Sequence, residues 1–504
     1  MKKNSIKIFA CIFFILLQQG FSQNDISPVI VTTGTWSYPP IAHEYSRNIG
    51  INEDGAFMIL TGNKIIYTSN DGISWTATSL AYRKAHPSGG SVQNHHGAYG
   101  DLKGNLFQVY VQGCNGCLGA LVPRYFKKVT YKDGLVTDLP LDYEVADPNN
   151  WFCSYTGFSL FPVSEDTILM GYQWTAAESV EPHVLISYNG GKDFISLGGT
   201  FKVGAGDSPG VWSMQHAPQV LKYKDGVFAL WSESGYKFRW NYYDGNAWGT
   251  PSSILNDAFF PDNSGSQCFR TNVDENYVYI LSRSSNSLGK LAALLWDGTT
   301  WTQKTIVSGR SYKLGSLVNT ICGDYLLNFW SETAPNDTGK NIYCLGYDRT
   351  TGVWMTEPKT VIADGKNNGS LSAPFVCPTN DKIPFAWLDG AGHILFCDIP
   401  LDFIVGTTAI KKNKKANTAV LSLHNQPNPF ARFTTLSYSL SQPEDISLRI
   451  FSPSGHLVKT LASGKQAAGK YDVAWNPNKM SPGIYLAKLT IGRSSVIRKL
   501  ILVN

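Results

Sequence analysis

After its first 22 residues this 504-residue chain has no apolar run long enough to span a bilayer. Residues 30–404 lack a helical hydrophobic period, which leaves alternating strands as the building element. No second Cys-x-x-Cys and no pair of histidines at ligand spacing accompanies Cys114-Asn115-Gly116-Cys117. A closed zinc site is therefore not spelled out, and the pair reads as a tight local bridge or half of a metal site. No cofactor is expected, with a structural calcium or zinc left open. Bulk positive charge is missing from the body. The formal net charge is +5, but the first 22 residues hold three lysines and no acid. From Val405 onward 14 Lys/Arg face three acids, so residues 23–404 carry about −9. The basic character belongs to the tail and to the linker "KKNKK" at 411–415. Nucleic acid is thereby excluded as the expected partner, and an acidic ligand would have to be met by a few local cations.

What is present begins with Lys2, Lys3 and Lys7, followed by the apolar run 8–17 and the small-residue step Gly20-Phe21-Ser22. This pattern reads as a secretory signal over residues 1–22. Its removal leaves eight cysteines, at 114, 117, 153, 268, 322, 344, 377 and 397. In an exported chain these are expected as disulfides or buried free thiols. A soluble, exported monomer is expected.

The chain from Leu421 reads as short alternating strands, "TTLSYSL", "ISLRIFS", "YDVAW" and "GIYLAKLTI", separated by Gly/Ser/Pro turns. This predicts a small β-sandwich over residues 421–504, joined to the body by a linker at 405–420. The stretches Pro427-Asn428-Pro429-Phe430, "IFSPSGHLVKTL", "AAGKYDVAW" and "SPGIYLAKL" resemble the C-terminal sorting domain of type IX secretion substrates. The resemblance implies export by the type IX machinery to the medium or the cell surface. It implies nothing about activity.

In the body an apolar strand recurs, as in "GAFMIL", "NLFQVYV", "TILMGYQW", "GVFALW", "NYVYIL", "DYLLNFW" and "KIPFAWL". Each is followed by another strand, the last expected over 393–403. Seven units of about fifty residues are the size of four-stranded blades. The expected fold is all-β: a seven-bladed β-propeller over residues 23–404, then the sandwich. The turns 68–75 and 187–194, with shorter echoes at 244–248 and 297–301, place Asp or Asn beside Gly and an aromatic. They resemble the Asp-box of sialidase-type propellers and are expected to be peripheral turn caps.

In a blade the innermost strand crosses from one face to the other and its neighbour returns. Residues before the first strand and after the second therefore share a face. On that reckoning one face collects Arg47, His95, His96, Tyr155, Trp212, His216 and Arg270 from strand starts. Strand ends add Gln112–Cys117, Trp174, Glu233, Arg283, Glu332 and Asp389. Tryptophans that stack sugar rings, beside polar groups that orient hydroxyls and carboxylates, suit a polysaccharide groove.

The stretches "NHHGAYGDLKGNLFQVYV…PRYFKK" and "HAPQVLKYKDGVFALWSESG…FRWNYYDGNAW" resemble the BNR-type seven-bladed propellers, over roughly residues 40–400. That group includes lyases acting on ulvan and on rhamnose–uronate polymers, and related rhamnosidases. The resemblance implies a catalytic histidine at His95. The family's second histidine falls where this chain has Gln112–Cys117, its Tyr-Pro step is His216-Ala217-Pro218, and its arginine falls at Ser232–Ser234. A lyase would use His95 or His216 as base, Tyr155 as acid, and Arg47 or Arg270 on the substrate carboxylate, with His96, Trp174, Trp212, Glu233 and Glu332 lining the groove. Two other readings stand beside it. Glu233 and Glu332 would serve as the carboxylate pair of a glycoside hydrolase, or the face would bind glycan without cutting it.

Overall fold

The computed structural model describes residues 28–32, 47–61, 65–81, 92–112, 124–138, 143–145, 158–176, 179–198, 218–232, 238–254, 268–283, 291–307, 314–333, 340–363, 369–406, 423–428, 430–440, 443–452, 457–478, 480–491 and 494–503. Two compact units form, Met1–Gly406 and Thr407–Asn504.

The described residues of the first unit form seven antiparallel sheets of four or five strands. Period-2 patterning builds them. Phe57–Leu60, Leu291–Trp296 and Tyr325–Glu332 are buried throughout, as strands covered on both faces must be. The innermost strands are, in chain order, Ile49–Ile51, Val92–Gly100, Phe158–Pro162, Gln219–Tyr223, Cys268–Val273, Leu314–Cys322 and Gly369–Ser372. Each lies against the next. The last meets the first where Asn48 N donates to Ser372 Oγ at 3.2 Å. The result is a β-propeller. Its closing sheet joins an early and a late segment of the first unit. Val29–Thr32 adds to the outside of Ile394–Pro400, with Val29 opposite Phe396. Each of the other six sheets is built from one contiguous piece of chain, so this sheet alone closes the ring between distant segments.

Aromatic residues fill the wedges between sheets. Trp296 lies 4.6 Å from Trp240 and 5.2 Å from Phe228, ring centre to ring centre. The Asp-box turns are peripheral caps. Asp71 Oδ1 accepts from Ile73 N and Ser74 N at 2.8 and 2.7 Å, and Trp75 packs edge-on to Phe396. In the echo turn Trp248 Nε1 donates to Leu197 O at 3.2 Å, stitching the third sheet to the fourth. The last strand of the ring, expected to reach residue 403, stops at Pro400. A five-residue helix, Leu401–Val405, buries Leu401, Phe403 and Ile404 in its place.

The second unit holds a three-stranded sheet (His424–Gln426, Thr434–Leu440, Gly469–Trp475) and a four-stranded one (Glu444–Phe451, Leu457–Gln466, Gly483–Ile491, Ser494–Leu502). Leu436, Leu448, Ile450, Trp475, Leu489 and Leu500 form its core. This is the expected β-sandwich. Among the described residues no helix is long and apolar enough to cross a membrane.

Two measurements follow from these contacts. At Gly100 a Cβ would collide with Ile49 O and the backbone of Gly50, because the first two inner strands meet there. Gly100→Ala is expected to destabilise by about 1–3 kcal/mol in chemical denaturation, whereas Gly369→Ala, with open space at its Cβ, should stay within about 0.5 kcal/mol of wild type. The turn carboxylates respond to acid. Backbone N–H groups of Ser74 and Ile73 hold the Asp71 carboxyl below its usual range, those of Ala247 and Asn246 do so for Asp244, and that of Thr300 leads for Asp297. The folded state then binds fewer protons than the unfolded one. The stability they contribute is present above the ordinary carboxylate value of about 3.9 and is lost as pH falls below it. Unfolding midpoints measured from pH 6 to pH 2 should decline, and decline less steeply in Asp297→Asn.

Candidate active site

The axis of the ring is organised by one side chain. Arg47 precedes the first inner strand, and its backbone pairs with the second sheet, donating to Ala98 O at 2.7 Å and accepting from Gly100 N at 2.9 Å. Its guanidinium reaches across to three other sheets. Nη2 donates to Thr271 O and Asn319 Oδ1, each at 2.6 Å. Nη1 donates to Asn319 O at 2.5 Å and to Pro374 O at 3.2 Å. The group is 2% exposed. Burial pushes its pKa down to about 9, the neighbouring Tyr99 opposes this, and the Arg270 charge adds to it. Tyr99, 1% exposed, is raised to about 12 by burial against the pull of Arg47 and Arg270. Two guanidinium groups therefore sit at the centre of a body whose net charge is negative.

A strap closes one end of the axis. After Ser372 the chain crosses the centre as Ala373-Pro374-Phe375-Val376-Cys377. The Phe375 ring lies 3.9 Å under the Arg47 guanidinium carbon, stacks on Tyr99 at 5.9 Å and meets Phe161 edge-on at 5.0 Å. Its carbonyl accepts from Ile321 N at 3.0 Å and from Asn272 Nδ2 at 2.8 Å. Pro162, Val273 and Cys322 end their inner strands, so the strap lies where those strands finish. The opposite face, where they begin, is the one the sequence singles out.

On that face the register joins strand starts to the ends of second strands. Val92 lies opposite Gln112, Cys268 opposite Arg283, Leu314 opposite Glu332 and Gly369 opposite Leu388. His95 and His96 lie in Val92–Gly100 opposite Tyr110 and Val109, and Trp174 lies opposite Glu181. The side chains of these three fall outside the described residues. Tyr155, Trp212, His216 and Glu233 lie outside them entirely, as do Cys114 and Cys117. Arg270 is 4% exposed, with Nη1 donating to Phe269 O at 3.1 Å. Glu332 is 3% exposed and accepts from Trp330 Nε1 at 3.0 Å, so it is a fixed buried carboxyl rather than a solvated loop acid.

Sequence reasoning puts Asp389 on this rim but misses its partner, His393. Asp389 follows the second strand of the closing sheet. Its Oδ1 accepts from Ala391 N at 2.9 Å and His393 N at 2.8 Å, and its Oδ2 meets His393 Nδ1 at 3.0 Å. Burial raises the Asp389 carboxyl, but the His393 contacts outweigh it and leave it below its usual range. The bond at Nδ1 fixes the ring and leaves Nε2 for other partners. "DGAGH" held the signal, an aspartate and a histidine bracketing a glycine turn. Among the described residues no group of His, Cys, Asp or Glu is arranged to hold a metal ion. The four cysteines whose side chains are described, 322, 344, 377 and 397, are all buried.

Residues 426–503 match the family described as the Secretion system C-terminal sorting domain. The protein is therefore secreted or held at the cell surface. No curated protein sequence matches the chain. Solved structures with a similar fold include a polysaccharide lyase, an ulvan lyase with a GlcA–Rha3S repeat bound, at 11% identity and TM-score 0.47, covering 74% of this chain and 96% of that one. The α-L-arabinofuranosidase of Fusarium graminearum with arabinobiose has 13% identity and TM-score 0.37, over 60% and 91% of the two chains. The α-L-arabinanase of Penicillium chrysogenum with arabinobiose has 12% identity and TM-score 0.35, again over 60% and 91%.

The axial contacts make a prediction. Arg47→Met would strip donors from the Thr271 and Asn319 carbonyls and leave them buried. A loss of about 3 kcal/mol in denaturant unfolding is expected. An unchanged midpoint would mean that Arg47 does not hold the ring.

Proposed function

We propose that the protein is a secreted polysaccharide lyase that cleaves an acidic, uronate-bearing glycan of the ulvan or rhamnogalacturonan kind by β-elimination. The observation that carries this reading is the positive axis, Arg47 with Arg270, lying above a strap that closes the other end. A polyanionic chain laid across the face where the inner strands begin would meet that charge from the open side. Because both terminal nitrogens of Arg47 are held by carbonyl and amide oxygens, it would act on the uronate through its field rather than through a direct fork.

In this reading His95 or His216 takes the C5 proton. The electron pair forms the C4=C5 double bond, and the C4–O bond breaks. Tyr155 delivers a proton to the departing glycosidic oxygen. His96, Trp174, Trp212 and Glu233 line the groove, and Glu332 is buried at its rim. The face also favours a second reading in one respect. Glu332 is buried and fixed by Trp330, and Glu233 follows in sequence the equivalent strand of the fourth sheet, Gly226–Ser232. A hydrolase would need such a carboxylate pair.

The exported protein, incubated with a panel of uronate polysaccharides, is expected to produce unsaturated-uronate absorbance and reducing ends together. His95→Ala should lower both rates about 100-fold or more. Reducing ends without absorbance would transfer the chemistry to Glu233 and Glu332. Retention of a glycan on an affinity gel with neither signal would make the propeller a binding module.

A further inference from the structure

The strap that closes the axis carries Cys377, and the inner strand beside it ends in Cys322. The two segments run parallel. Ile321 pairs with Val376 as a parallel bridge, Ile321 N donates to Phe375 O at 3.0 Å, and Cys377 N donates to Ile321 O at 2.7 Å. One step further along the same register, Cys322 stands beside Cys377. Neighbouring strands are about 4.8 Å apart, within the roughly 4.4–6.8 Å between Cα atoms that a disulfide spans. Both residues are buried, Cys322 fully and Cys377 at 5% exposure. Cys377 Sγ lies 3.6 Å from Thr320 Oγ1, and Cys322 Sγ lies 3.5 Å from Lys382 O. The other two cysteines whose side chains are described, Cys344 and Cys397, lie on outer strands, Lys340–Asp348 and Ile394–Pro400.

We infer that Cys322 and Cys377 are joined by a disulfide in the exported protein. The bond would tie the strap of the seventh sheet to the inner strand of the sixth. Through Phe375 it would fix the floor under Arg47. The sorting domain sends the chain out of the cytosol, where disulfides persist. The chemistry is exchange with an oxidised disulfide donor of the thiol-oxidase class. Two S–H bonds and the donor's S–S bond break, one new S–S bond forms between the cysteines, and two electrons and two protons pass to the donor, which leaves as a dithiol. Contact with Cys377, together with burial, holds the Cys322 thiol well above its usual range. Its thiolate is therefore scarce once the strap is seated. Oxidation accordingly belongs to folding, before the strap closes, and the finished bond is shielded from reductant.

The test uses the exported full-length protein, alkylated under denaturing conditions without reductant and digested with trypsin. The expected product is one linked species containing peptides 314–340 and 367–382, which separates into its halves on reduction. Recovery of both peptides singly alkylated, or of either linked to another cysteine, would overturn the inference. A second measurement bears on the same bond. Denaturing reduction followed by refolding in reductant should lower the thermal midpoint of the wild-type protein by several degrees. Cys322→Ala/Cys377→Ala should show a clearly smaller drop. An equal drop in both would count against the bond.

Discussion

The guanidinium of Arg47 is the constraint on which the ring depends. Sheets in a propeller touch their neighbours through apolar wedges, which resist separation but do not fix how far each inner strand slides along the axis. Arg47 fixes that. Its backbone is paired to the second sheet, and its donors reach carbonyls of the fifth, sixth and seventh. Five sheets are thereby referred to one planar group with a rigid donor geometry. The desolvation penalty is visible in the lowered pKa, yet a value of about 9 keeps the group charged at neutral pH. Short bonds to Asn319 and Thr271, and the Phe375 ring on one face, offset that penalty.

The same arrangement divides the two ends of the axis. The strap occupies the end where the inner strands finish, because Phe375 must lie under Arg47 and its carbonyl must meet Ile321 and Asn272. The other end is bounded by strand starts and by the ends of second strands, whose connections are free to vary without loosening the ring. His95, Glu332, Arg283 and the Asp389–His393 pair all belong to that end by register. The Asp-capped turns lie on outer hairpins. There they stitch sheet to sheet, as Trp248 does, and take no part in the face.

The strands were legible because their signal is local. Alternation of apolar residues with period two, punctuated by Asn/Asp-Gly turns, marks each strand within ten residues. The sharing of one face by strand starts and second-strand ends was legible too, since antiparallel order alone dictates it. What escaped were the long-range contacts. Nothing near Val29 says that its partner is Phe396, and nothing near Arg47 says that its oxygen acceptor is Asn319, 272 residues away. Arg47 read as a carboxylate partner because an arginine at a strand start is an ordinary groove residue. Its burial depends on a strap that carries no signature beyond a proline and an aromatic. Asp389 was placed on the face, but His393 was not, because a turn aspartate followed four residues later by histidine has the pattern of a plain hairpin.

The charge distribution follows from these constraints rather than from composition. A body of about −9 would repel a polyanion if its acids were evenly spread. They are not. Asp71, Asp244 and Asp297 are consumed in outer turns, where backbone N–H groups hold them ionised and exposed. Arg47 and Arg270 are held at the axis. Water and salt screen the outer acids strongly, whereas the buried cations act through protein of lower dielectric. An acidic glycan approaching the strand-start end would therefore feel the axis more than the rim. Its attraction would fall little with added salt, in contrast to surface-driven polyanion binding. Net charge alone therefore does not fix the sign of a ligand at the strand-start end.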